Sequence, residues 1–87
     1  MGKSLGNYQE EVKKYSRGLT EQENLLKMVE ELGEVVSALF KQESKSRLAE
    51  ELGDLLICYI CVLNDQRLDL TSVLDSALNK IAQRILM

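Results

Sequence analysis

The sequence predicts an all-α, four-helix bundle-like fold with antiparallel helices in a single domain spanning residues 1–87. Three observations point that way. The chain contains no proline and is rich in leucine, glutamate and lysine, residues that lose little rotamer freedom in a helix. Apolar residues recur at helical spacing in successive segments, and no segment alternates with a period of two. Short polar stretches separate the segments, as in antiparallel helical neighbours.

The first helix is expected over residues 4–17, where Leu5, Tyr8, Val12 and Tyr15 keep helical spacing, with Gly18 as its stop. "TEQE", Thr20 to Glu23, is a capping box that opens a second helix running to about Lys41. Leu25, Val29, Leu32, Val36, Leu39 and Phe40 form its expected core face. "QESKS", Gln42 to Ser46, reads as a loop. A third helix follows to about Asn64 and carries Leu48, Leu52, Leu55, Tyr59 and Val62. After the turn "NDQRLD", Asp69 is a candidate N-cap. The last helix carries Leu70, Val73, Leu74, Ala77, Leu78, Ile81, Ile85 and Leu86.

Composition narrows the function classes. An 87-residue chain buries only about 60–65% of its unfolded surface, so further stability is expected from oligomerisation or a ligand. The net charge of −3 argues against nucleic acid as a partner. No apolar run is long enough to span a membrane, and the N-terminus lacks the apolar core of a signal peptide. A cytoplasmic location is expected. Cys58 and Cys61 form a lone CxxC in an apolar helical run. With no histidine and no further cysteine, they cannot complete a zinc site and read as structural thiols.

Two stretches nearly repeat: "VEELGEVV" (Val29 to Val36) and "AEELGDLL" (Ala49 to Leu56). Each sets a glycine inside a helix, at a cost of about 1 kcal/mol relative to alanine, and crowds carboxylates around it. A single Glu-rich turn is usually a solvated helix face. Here the two units fall on successive antiparallel helices at similar heights, so Glu31, Glu34, Glu51 and Asp54 can converge. On a helical wheel Val62 and Cys58 lie about 20° and Leu55 about 40° from Glu51, which places this acid among apolar neighbours. A buried, unpartnered carboxylate costs several kcal/mol or takes up a proton; a cation between the helices removes that cost. Donors that are all oxygen suit a hard ion, Mg²⁺ or Mn²⁺. The two glycines permit close helix approach or leave room for a bulky ligand.

"EELGE" (Glu30 to Glu34) followed by "ELGD" (Glu51 to Asp54) resembles the EExxE…ExxD signature of MazG-like nucleoside triphosphate pyrophosphohydrolases. The likeness extends from about Leu25 to Arg84 and includes "LNKIAQR" (Leu78 to Arg84). The resemblance implies Mg²⁺-dependent cleavage of a (d)NTP to the (d)NMP and pyrophosphate, a nucleotide-pool house-cleaning activity, by a homodimer or homotetramer. It implies that Glu30, Glu31 and Glu34 are the catalytic acids and that Glu31, Glu34, Glu51 and Asp54 hold the metal. Glu30 would bind a further ion or orient the attacking water, and Lys27, Lys80 and Arg84 would face the substrate phosphates. Lys80 and Arg84 also read as solvated charges near a helix C-terminus. Tyr8, Tyr15, Phe40 and Tyr59 are candidates for base stacking, though their helical spacing equally suits core positions. The alternative to an enzyme is a non-catalytic metal- or nucleotide-binding module, or a helical oligomerisation domain.

Overall fold

Side-chain caps set where each helix begins. In the computed structural model, which describes residues 2–15 and 18–86, helix α1 (Leu5–Lys14) starts at Ser4, whose hydroxyl accepts from the Asn7 N–H at 3.1 Å. Helix α2 (Glu21–Phe40) starts at the capping box expected from the sequence. The Glu23 N–H donates to Thr20 Oγ1 at 3.1 Å, and the Thr20 N–H donates to Glu23 Oε1 at 2.9 Å. Helix α3 (Lys45–Asp65) begins earlier than expected because Ser44 acts as its N-cap, accepting from the Arg47 N–H at 3.2 Å. Helix α4 (Leu70–Leu86) follows Asp69, whose Oδ2 accepts from the Ser72 N–H at 3.0 Å. No strand occurs among the described residues.

Helix α1 ends sooner than its apolar spacing suggests, at Lys14 with Tyr15 as its cap. The rest of the segment expected to be helical, residues 16 and 17, lies outside the described residues. Gly18 has a φ of 69°, the left-handed conformation that glycine adopts without a Cβ penalty.

The antiparallel pair α2–α3 forms the main helix contact, while α1 packs on α3 and α4. The buried apolar cluster is small: Val12, Ile60, Leu63 and Leu70, with Tyr59, Cys61 and Val73 packed against it. It sits where α1 crosses the C-terminal part of α3 and the start of α4.

The expected core face of α2 is a correction. Val35 and Ala38 are its buried residues, whereas Leu25, Val29, Leu32, Val36, Leu39 and Phe40 are all exposed, Phe40 at 84%. Helical periodicity identifies an apolar stripe but not what covers it. Likewise α4 buries only Leu70 and exposes Leu74, Leu78, Ile81, Ile85 and Leu86. The radius of gyration is 14.9 Å, against about 12 Å for a compact chain of this length.

A buried glutamine ties the helices together. Gln9 Nε2 donates to Asn64 Oδ1 at 2.9 Å and to the Leu68 carbonyl at 2.8 Å, while its Oε1 accepts from the Leu70 N–H at 2.9 Å. The Asn64 amide returns a bond to the Gln9 carbonyl at 3.4 Å. One side chain thus joins α1 to the end of α3, the following turn and the first residue of α4. Gln9→Ala is expected to lower unfolding stability in urea by about 1–3 kcal/mol, since it strands the buried Leu70 N–H. Gln9→Glu should be at least as damaging despite its matched volume, because a carboxylate donates nothing to the Leu68 carbonyl. Wild-type stability in both variants would remove this clip from the account of the fold.

Candidate functional site

The α2–α3 pairing carries acids on its inner side. Carboxylate oxygens of Glu31, Glu51 and Asp54 all lie within 4.8 Å of one another. The three differ in exposure: Asp54 is open to solvent, Glu31 is half-buried, and Glu51 is buried at 6%. Glu51 and Asp54 share a flank of α3 because they are three residues apart, and Glu31 meets them from α2.

A buried carboxylate needs a partner, and here the protein supplies Arg47. Its Nη2 lies 2.9 Å from Glu51 Oε1, Nη1 lies 3.2 Å from Glu50 Oε2, and Nε lies 3.9 Å from Glu43 Oε2. The Glu51 carboxylate foremost, with Glu50 and Glu43 adding, holds the Arg47 guanidinium above its ordinary range. Arg47 itself is largely exposed, 54% at the side chain, so it approaches Glu51 from the solvent side. Sequence reasoning passed over this residue. Its signal was there: an arginine four positions before an acid stands over it on a helix.

Lys27 plays a similar part on α2, with Nζ 3.6 Å from Glu30 Oε1 and 3.7 Å from Glu31 Oε1. Glu30 is exposed beside it, outside the convergent group. Glu34 is also exposed and outside that group. Lys80 and Arg84 stand on the exposed surface of α4 and pair with no acid among the described residues of the chain. A single chain therefore brings together Glu31, Glu51 and Asp54, with Lys27 and Glu30 at their edge, and leaves Glu34, Lys80 and Arg84 apart.

Of the two readings of the glycines, close helix approach is absent within the chain. A Cβ built on Gly33 or Gly53 would meet nothing within 4 Å. Both glycines open on free space beside the acids.

Next to the cluster, α1, α2 and α3 enclose a cavity of about 330 Å³, lined among others by Tyr8, Asn24, Lys27, Cys58 and Asp65. Cys58 is buried and Cys61 half-buried, and they form no disulfide. Both line this cavity. Phe40 lies far out on the surface and Tyr59 packs on the core, so of the aromatic candidates only Tyr8 and Tyr15 face the cavity.

The fold of the chain and its sequence pattern have counterparts among known proteins. No curated protein matches the chain in sequence. The crystal structure of the Bacillus-conserved MazG protein, a nucleotide pyrophosphohydrolase, is similar to it with a TM-score of 0.84 and 26% identity, over 93% of this chain and 92% of that one. The family model of the MazG nucleotide pyrophosphohydrolase domain matches residues 19–85, a span that holds the acids of α2 and α3 together with α4. The chain belongs to the MazG nucleotide pyrophosphohydrolase family.

Proposed function

We propose that this chain is a cytoplasmic, Mg²⁺- or Mn²⁺-dependent enzyme that cleaves a nucleoside triphosphate to the monophosphate and pyrophosphate, working as a homodimer or homotetramer of one-domain subunits. The observation that carries the reading is the buried Glu51 carboxylate with Glu31 and Asp54 oxygens within 4.8 Å. Family membership supports pyrophosphohydrolase chemistry; the cluster supports the metal.

The donor set fits a hard divalent ion: three carboxylates from two helices, and no nitrogen or sulfur among them. Glu31, Glu51 and Asp54 would hold such an ion, which when bound supplies the positive charge that a polyphosphate needs at its oxygens. Glu34, one turn from Glu31, would add a further carboxylate to the set. Lys27 lies at the edge of the cluster and offers its ammonium to a phosphate oxygen, exchanging Glu30 and Glu31 for the substrate. Glu30, released from Lys27, is the exposed acid placed to orient water and accept its proton.

The oligomer follows from surface that one chain leaves uncovered. Contiguous apolar residues on α2 (Leu32, Val36, Leu39) and α4 (Leu78, Ile81, Ile85) are exposed, more than a small monomer normally tolerates. A second copy of the chain is the natural cover. In such an assembly Lys80 and Arg84 of one copy are available to the acid cluster of another.

Three outcomes are expected. With Mg²⁺, the wild type should release pyrophosphate from at least one member of a (d)NTP panel, and Glu51→Gln and Asp54→Asn should lower kcat/KM by about 100-fold or more. Equal release by all three proteins, or none from any nucleotide, would overturn the enzymatic reading. Calorimetric nucleotide binding without product would favour the binding module instead.

Mg²⁺ should also raise the wild-type Tm, by mass action equivalent to about 2.7 kcal/mol at a hundredfold excess over Kd. Arg47→Ala should lower the metal-free Tm and show a larger rise on adding Mg²⁺, because the buried Glu51 then has no internal counter-ion. An unchanged Tm in both proteins would remove the metal from the site.

In light scattering the wild type should have at least twice the mass of one chain, and Leu32→Asp should shift it towards the monomer. A monomeric wild type would rule out this use of the apolar stripe.

A further inference from the structure

The cavity between α1, α2 and α3 has a volume of about 330 Å³, within the roughly 300–1,000 Å³ range of small-molecule sites. Its wall is mostly apolar, with Val12, Leu19, Ile57 and Cys58 contributing, and Tyr8 and Tyr15 stand on the α1 side. Lys27 lines it and at the same time pairs with Glu30 and Glu31. Lys27 is therefore shared by the cavity wall and the edge of the acid cluster.

Several polar groups on this wall are engaged with neighbours. Asn64 exchanges hydrogen bonds with Gln9 through both ends of its amide. Glu11 is paired with Lys3 and Lys14, and Lys13 with Glu10. Asn24 and Asp65 face each other across α2 and α3: Asn24 Nδ2 donates to Asp65 Oδ2 at 2.7 Å. A carboxylate only accepts, so this bond fixes which end of the amide is which. This bond engages Asp65 Oδ2 and one of the two Asn24 N–H groups. The wall thus presents a carboxylate acceptor beside an amide donor.

We propose, resting on the nucleotide reading above, that this cavity holds the nucleobase and that Asp65, oriented by Asn24, selects a base with adjacent N–H donors, guanine above all, against uracil and thymine. Guanine offers N1–H and the N2 amino group side by side to one carboxylate, and its O6 accepts from the Asn24 N–H. Cytosine and adenine offer a single amino group. Uracil and thymine flank their one N–H with carbonyl oxygens, which a carboxylate repels. A site that hydrogen-bonds a base rejects one lacking the complementary group more strongly than an apolar pocket rejects a change of shape. The placement suits one molecule: Asn24 precedes Glu31 by two turns, about 10 Å along α2, so a base at Asp65 directs its phosphates past Lys27 to the acids.

The test compares kcat/KM for dGTP, dITP, dUTP and dTTP in the wild type and in Asp65→Asn, together with calorimetric binding of GMP and UMP. The wild type should prefer dGTP to dUTP and dTTP by at least tenfold. It should turn over dITP, which lacks only the N2 amino group, several-fold less well than dGTP. Asp65→Asn should bring dGTP down and dUTP up, so that the two converge, because the amide no longer repels the uracil carbonyls. Turnover without base preference, or a preference that survives Asp65→Asn, overturns this inference and leaves the enzymatic reading standing. Absence of turnover with GMP bound in preference to UMP overturns the enzymatic reading and keeps the cavity as a base site. Should Asp65→Asn fold poorly, the dITP-to-dGTP ratio of the wild type decides alone, and equal values count against the proposal.

Discussion

The constraint on which the rest of the molecule depends is a negative charge at a helix–helix interface. Glu51 is 6% exposed, in a chain whose buried apolar cluster is too small to offset many such costs. A buried carboxylate stripped of water is tolerated only with a close positive partner. Arg47 is that partner within the chain, and it reaches in from solvent rather than from the core. The arrangement leaves Glu51 buried but its counter-ion replaceable. That combination suits a group that exchanges an internal cation for an external one, as the proposed metal site requires.

The same economy shapes the outer surface. Helix α2 has two apolar aspects. One, with Val35 and Ala38, packs on α3; the other, with Leu32, Val36 and Leu39, is open. Helix α4 leans on α1 and leaves most of its apolar residues uncovered. Hydrophobic burial scales with area removed from water, so a chain of this size gains more by covering these faces with another copy than by any internal adjustment. The Gln9 clip belongs to the same logic. Where apolar packing is thin, a fully bonded polar side chain fixes the angle between α1, α3 and α4.

Much of this was legible in the residues. Thr20 and Glu23 announced the start of α2, and Asp69 that of α4, because capping is local chemistry that needs no tertiary context. Glu51 stood out on the wheel because one turn of apolar neighbours suffices to mark an inward position. Burial on α2 was not legible: Leu39 and Ala38 both satisfy a helical period, and only the partner decides which is covered. Ser44 was hidden inside a polar stretch that looked like uniform loop. Gln9, Asn24 and Asp65 gave no signal, since each matters through a residue more than forty positions away. Long-range polar pairing has no periodicity to read.

The charge layout of the α2–α3 groove gives an orientation to whatever binds there. Both ends are acidic: Glu31, Glu51 and Asp54 at one, Asp65 at the other, with Lys27 between. A polyphosphate is repelled at either end in the absence of a cation. Among the described residues, only the first end has three carboxylates close enough to share one ion; Asp65 has a single carboxylate, already engaged by Asn24. A divalent ion held by the cluster would make the site asymmetric, attractive to phosphate at the cluster and not at Asp65. In the proposed reading, that asymmetry favours phosphates at the cluster and an uncharged, donor-bearing group beside Asp65.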